Sequence, residues 1–178
     1  MKLVKRDIWD FIIEGWHVVI PTNGHVNSDG QAVMGMGLAY QCNKLIKGMS
    51  IALGKLITKH GNHVFLFDRQ KIITFPTKHH WKQDSDLELI KESCIKLKTL
   101  MEMKKDLKVV MPKVGCGNGK LTWEQVAPII QELLGEKFSQ DRFMIVDNEQ
   151  GKTKTEWLGN NDNNEKGASV KKDTPNII

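Results

Sequence analysis

Short β-branched apolar runs alternate along this chain with longer stretches whose apolar residues recur at three- and four-residue steps, and this alternation constrains the fold more than any other feature. The clearest helical period lies between Asp84 and Lys104, where Leu87, Ile90, Cys94, Leu97 and Met101 fall on one face. Thr122 to Leu134 repeats it with Val126, Ile129, Ile130 and Leu133, and helices are also expected from Met34 to about Lys47 and from about Ser50 to His60. Between them lie runs better suited to strands: Lys2 to Arg6, Trp16 to Pro21, Val64 to Phe67, Lys71 to Phe75, Leu107 to Met111 and Arg142 to Val146, with a helical turn expected at Ile8 to Ile13. A chain that alternates in this way folds as α/β, with a central, mostly parallel sheet between layers of helices. Ligands of such sheets bind at the carboxyl ends of the strands.

At 178 residues, 40% hydrophobic and 26% charged, the chain has the length and composition of one ordinary domain. We expect that domain to span residues 1–158. From Gly159 onward the sequence is polar and offers almost nothing to bury, so residues 159–178 are expected to form a disordered tail. The net charge of +5 suits a polyanionic partner, but the lysines are scattered over helical stretches and so are expected mainly to solvate them. Three cysteines without CxxC spacing exclude a disulfide framework or a zinc ribbon and fit a reducing cytoplasm. No apolar run is long enough to span a bilayer, and the amino terminus runs straight into Lys5-Arg6-Asp7 with no signal-peptide core, so we expect neither membrane insertion nor export.

Two glycine clusters stand out, Gly35-Met36-Gly37-Leu38-Ala39 and Gly115-Cys116-Gly117-Asn118-Gly119, each after a strand-like run and before a helix-like one. Glycine lets the backbone approach a ligand, and the following helix aims amide hydrogens and a positive dipole end at negative charge. Two such clusters can wrap a diphosphate. A Walker A loop is excluded because Met36 stands where its lysine belongs, and the dinucleotide fingerprint fails at Tyr40 and at Lys120. The loop from Thr22 to Val33 is long for a compact domain, which points to a functional segment.

These clusters sit in a larger pattern: Lys5-Arg6-Asp7-Ile8, Pro21-Thr22-Asn23, Val33 through Ala39, Phe75-Pro76-Thr77-Lys78-His79-His80-Trp81, and Pro112 through Trp123. In that order they closely resemble the macrodomains, over roughly Met1 to Leu158. The segment Phe75 to Trp81 is most similar to the branch holding the DarG-type antitoxin macrodomains, which remove ADP-ribose from thymidine bases of DNA, and the related terminal ADP-ribose glycohydrolases. The long loop also resembles that of stand-alone macrodomains of bacteriophages. The resemblance implies a three-layer α/β/α macrodomain with a mixed, mostly parallel sheet.

It further implies that Asp7 accepts a hydrogen bond from the adenine amino group and that the Ile8 amide meets the ring, although Asp7 would also serve as a helix N-cap. Asn23 corresponds to the asparagine near the distal ribose. Met34, Gly35, Met36, Gly37, Leu38 and Ala39 correspond to the loop over the diphosphate and distal ribose, and Val114, Gly115, Cys116, Gly117, Asn118, Gly119 and Lys120 to the loop on its other side.

Lys78 is the implied catalytic residue, by attack on C1 of the distal ribose or by stabilising the charge that develops there. Its neighbours His79 and Trp81 would strip water from the side chain, which favours a reactive amine. Some relatives of this branch carry a carboxylate in the second glycine loop; here Gly117-Asn118-Gly119-Lys120 has none. A thymine imide nitrogen is a good enough leaving group to need less acid assistance. His79 or His80 could still assist proton transfer. Trp81 and Trp123 are expected to pack, with base stacking by Trp81 the alternative if the substrate is nucleic acid.

The function expected is ADP-ribosyl glycohydrolysis on DNA or protein. Open alternatives are a non-catalytic binder of ADP-ribose or a related nucleotide, and a phosphatase acting on ADP-ribose 1''-phosphate. No cofactor or metal is expected. The partners expected are the ADP-ribosylated substrate and an ADP-ribosyltransferase toxin, for a monomer in the bacterial or phage-host cytoplasm.

Overall fold

The computed structural model describes residues 2–148 and 176–177. A seven-stranded sheet runs through it in the order β1-β6-β5-β2-β4-β3-β7. The strands are β1 (Leu3–Arg6), β2 (His17–Asn23), β3 (Phe65–Phe67), β4 (Ile72–Lys78), β5 (Val109–Pro112), β6 (Phe143–Asn148) and β7 (Asn176–Ile177). Pairings from β1 across to β4 are parallel, and only β3 and β7 run antiparallel to their neighbours. The mixed, mostly parallel sheet expected from the sequence is therefore present.

Both faces of this sheet are buried, and the side-chain period of two divides each strand between them. Val19, Ile73, Phe75, Val109, Met111, Phe143 and Ile145 face one apolar layer. Val18, Ile20, Ile72, Val110 and Val146 face the other. The first layer is covered by α4 (Leu87–Met103) and α5 (Trp123–Ile130), the second by α1 (Asp10–Ile13), α2 (Gly37–Leu45) and α3 (Met49–His60). Helix α4 begins where Asp86 accepts hydrogen bonds from the amides of Glu88 and Leu89, a cap worth about 1 kcal/mol. Its inner face carries the expected Ile90, Cys94, Leu97 and Met101.

Several boundaries differ from the sequence reading by a few residues, and three of them are informative. Helix α2 starts at Gly37, because Met34 is buried and Met36 is extended. Helix α5 carries Pro128 within it and gives way at Gln131 to a π-helical turn through Gly135. Strand β4 runs past Pro76 to Lys78 rather than ending at Phe75. Pairing with β3 stops at Thr74, so Pro76 lacks its amide where β2 alone flanks the strand. Register then shifts: Thr22 pairs with Pro76 but Asn23 with Lys78, which leaves Thr77 as an extra residue in a bulge.

The tail expected at residues 159–178 lies outside the described residues except for Asn176–Ile177, which pair with Leu66 and Phe65 as an edge strand. Polar composition alone gave no sign of that strand.

Candidate functional site

Parallel strands bring their carboxyl ends to one edge of the sheet, and most of the residues singled out in the sequence meet there. Asp7 follows β1, Asn23 ends β2, Lys78 ends β4, and the second glycine loop follows β5. Asp7 is not the N-cap of α1, since the helix begins at Asp10 and Trp9 holds the cap position. Its carboxylate instead accepts the Trp9 amide at 3.0 Å. The Trp9 indole in turn donates to Gln41 of α2 at 2.7 Å, which ties the two helices together beside Asp7. The Ile8 side chain is fully buried.

Asn23 organises the long loop. Its amide nitrogen donates to the Val33 carbonyl at 2.9 Å and its oxygen accepts from the His25 amide at 3.0 Å. Both ends of the side chain thus close the loop on itself. Buried Met34 anchors the far end, and the chain then passes through Gly35 and exposed Met36 into α2. No side chain caps the first turn of α2.

The second loop is tightly folded. The Leu121 amide donates back to the Gly115 carbonyl at 3.0 Å, and the Ser85 main-chain amide donates to the Gly119 carbonyl at 2.9 Å. Gly115 has φ +77°, and a Cβ there would meet Ile90 at 3.0 Å. At Gly119 a Cβ would stand 2.2 Å from Ser85 Oγ and 2.4 Å from the Gly115 carbonyl, so nothing larger than glycine fits. These two glycines have a structural reason. Gly35 and Gly117 do not, because a Cβ at either meets nothing within 4 Å. Their open sides are where a ligand can approach the backbone.

The two loops meet at Asn118, and Lys78 reaches the same residue. The Lys78 Nζ donates to the Asn118 carbonyl at 2.7 Å. Across the gap, a Cβ on Gly37 would lie 3.4 Å from Asn118 Nδ2, so the start of α2 abuts the same residue. The Lys78 main chain is held from behind, its carbonyl accepting from Asn62 Nδ2 at 3.0 Å and from the Gly24 amide at 3.2 Å. Sequence reasoning missed Asn62 and Ser85. Each acts on backbone brought to it by the fold, and neither belongs to a motif.

Remaining side chains have defined partners. Lys120 forms an exposed ion pair with Asp84 at 2.9 Å, and Lys113 pairs with Asp147 at 2.8 Å. The Cys116 thiol donates to the Val114 carbonyl at 3.4 Å. Burial raises its pKa, Lys113 opposes the rise and Glu124 adds to it, so the thiol stays protonated and is a poor nucleophile. His79 lies 3.1 Å from Asp86, while His80 lies against His25 with ring centroids 4.3 Å apart. Trp123 packs against the core, as expected. Trp81 does not: it is 47% exposed, because it follows the end of β4 and lies outside both apolar layers. Among the described residues no three His, Cys, Asp or Glu side chains gather to hold a metal ion.

Comparison with known proteins gives a consistent result. The macro domain family model matches residues 19–130. A protein from Thermus aquaticus named DNA ADP-ribosyl glycohydrolase is 31% identical over 118 residues, which is 61% of this chain and 32% of the relative. One of the same name from Mycobacterium tuberculosis is 35% identical over 104 residues, 53% of this chain and 29% of the relative. This chain thus spans about a third of the length of those relatives. The solved macrodomain of Mycobacterium tuberculosis DarG superposes with a TM-score of 0.61 at 27% identity, covering 73% of this chain and 86% of that one.

Proposed function

The chain belongs to the macro domain family, and from that premise we propose that its cleft binds ADP-ribose and hydrolyses ADP-ribosyl linkages, with ADP-ribosylated thymidine in DNA as the substrate. The observation that carries the reading is the bond from Lys78 Nζ to the Asn118 carbonyl of one glycine loop at 2.7 Å, with Gly37 of the other loop against the side chain of the same asparagine. A diphosphate held by backbone amides at Gly35 to Ala39 and Val114 to Lys120 puts adenine toward Asp7 and Ile8 and the distal ribose toward Lys78. The names of the Thermus aquaticus and Mycobacterium tuberculosis relatives support the same chemistry.

In the reaction, the bond from C1 of the distal ribose to the thymine nitrogen breaks, and water supplies the new C1 oxygen and the proton on thymine. Lys78 acts at C1, as nucleophile or by stabilising the developing charge. The thymine imide leaves with little help, which fits a second loop without a carboxylate. An ADP-ribosyltransferase that makes the substrate is the partner this reading calls for, and the bacterial or phage-host cytoplasm is its compartment.

The test is release of free ADP-ribose from an ADP-ribosylated thymidine oligonucleotide, an ADP-ribosylated glutamyl peptide and ADP-ribose 1''-phosphate. Release from the oligonucleotide, lost in Lys78→Ala, is the expected result. Tight ADP-ribose binding with no turnover of any conjugate identifies a binder instead, and phosphate release from the third compound identifies a phosphatase.

A further inference from the structure

We propose that the groove between the start of β3 and the first half of α4 is the docking site of this chain's own Ile178, and that the seated side chain braces Asn62 and, through it, the Lys78 end of β4. The docking does not depend on the hydrolase reading of the cleft.

The groove is a hollow of about 180 Å³ whose lining includes Asn62, Val64, Leu89, Ser93 and Ile95. Clefts for ligands of drug size run to about 300–1,000 Å³, so this one has room for a side chain rather than for a nucleotide. Its lip is unfinished. Ile95 is 46% exposed there, and covering the hollow with one aliphatic side chain gains that side chain about 1.5–3 kcal/mol.

Register identifies the occupant. Strand β7 pairs antiparallel with β3, Asn176 opposite Leu66 and Ile177 opposite Phe65, so position 178 of the same register comes level with Val64 in the groove wall. Opposite residues of such a pair share a face of the sheet. Val64 and Leu66 belong to the layer under α4, whereas Phe65 belongs to the other layer, and position 178 by this register falls on the α4 side. Ile178 itself lies outside the described residues. The sequence supplies a fitting side chain, since from Gly159 onward the only large apolar residues are Val170, Ile177 and Ile178. Addition of a strand to an open sheet edge, with alternate side chains in pockets, is a general mode of peptide capture, and here the captured segment belongs to the same chain.

Asn62 connects the groove to the cleft. It lines the groove, and its Nδ2 donates to the Lys78 carbonyl at 3.0 Å. Gly24 packs against it so closely that a Cβ there would stand 2.9 Å from Asn62 Cγ, and the Gly24 amide bonds the same Lys78 carbonyl at 3.2 Å. A side chain wedged between Val64 and Ile95 takes up the space into which Asn62 would otherwise turn, and the bonds at the Lys78 carbonyl are held in place.

The experiment uses the full chain and reads amide hydrogen exchange by NMR with no ADP-ribose present, so its failure is distinct from a failure of the hydrolase test. Wild type is compared with Ile178→Asp, with Ile178→Leu, and with Ile95→Glu at the facing wall. Exchange at Val64 to Phe67 and at Gly24 should rise about 10- to 100-fold in the two acidic variants and stay near the wild-type rate in Ile178→Leu. Unchanged exchange at Val64 to Phe67 in Ile178→Asp overturns the docking. Faster exchange there with Gly24 unchanged overturns the link to Lys78. In a second arm, the double variant Ile178→Cys, Ile95→Cys is treated with a short bismaleimide and should cross-link within one chain, as peptide mapping will show. Absence of that link overturns the proposal, and a cross-linked dimer overturns it by assigning the groove to a second copy.

Discussion

Asn62 donates from its side chain to the main-chain carbonyl of Lys78 at 3.0 Å, and so fixes the end of β4 from outside the cleft. Asn62 lies between α3 and β3. Its effect is to hold the backbone from which the Lys78 side chain crosses to Asn118. Replacing it with alanine removes one neutral hydrogen bond. We expect Asn62→Ala to lower kcat about two- to tenfold while the Kd for ADP-ribose changes less. Steady-state kinetics beside calorimetry checks the split, and equal losses in both would show a general loosening of the fold.

The glycines of the second loop should separate into two behaviours. Gly119→Ala drives a Cβ to 2.2 Å from Ser85 Oγ and 2.4 Å from the Gly115 carbonyl, and should cost about 1–3 kcal/mol of stability. Gly117→Ala meets nothing within 4 Å, and should leave the urea midpoint unchanged or slightly raised. Its ADP-ribose affinity should nevertheless drop by about tenfold, a loss of roughly 1.4 kcal/mol, because the methyl occupies the ligand's approach. Denaturation curves and calorimetry on both variants read these outcomes directly.

Stability should fall on acidification, beginning near neutrality. His17, at the other end of β2, is 4% exposed, and its pKa is lowered by burial first and then by Lys71 and Lys104, against the opposing hydrogen bond and charge of Asp68. Below the ordinary histidine pKa the unfolded chain binds a proton that the folded one resists, so stability is full above about pH 6.5 and is lost as pH falls through the lower folded value. Asp68, held down to about 2 by hydrogen bonds from Lys104 and His17, adds a second loss below about pH 4. Urea midpoints from pH 8 to pH 3 should show both phases. In His17→Asn the first should vanish.

Thiol reactivity should single out one cysteine. Burial pushes the Cys42 and Cys94 thiols up to about 12, and both lie in the core. Cys116 is partly exposed in the second loop. Native protein treated with iodoacetamide should be modified at Cys116 alone, slowly, and saturating ADP-ribose should slow it further. Peptide mapping by mass spectrometry measures the sites.

Much of this was legible in the sequence because local signals agreed with the fold. The period of α4 and the β-branched run of β2 both reappear, and their alternation sufficed for a parallel sheet covered on both faces. The end of β4 was not legible. Pro76 ordinarily ends a strand, and only the early stop of β3 beside it makes room for the residue. Lys78 stood out through its motif alone, and the bulge at Thr77 that precedes it follows from the register between strands, which no local pattern encodes. Asn62 and Ser85 were invisible for a related reason, since each serves backbone distant in sequence. Trp81 was expected to pack, yet the strand end carries it to the surface.

Helix α2 enters the cleft with its first turn unserved by any side chain. An anionic guest lodged against Gly37 to Ala39 would complete that turn, so occupancy of the pocket and firmness of the helix rise together. Amide hydrogens there would exchange more slowly once the guest arrives. The molecule would thereby report its own saturation through a segment of main chain, with no labelled ligand required.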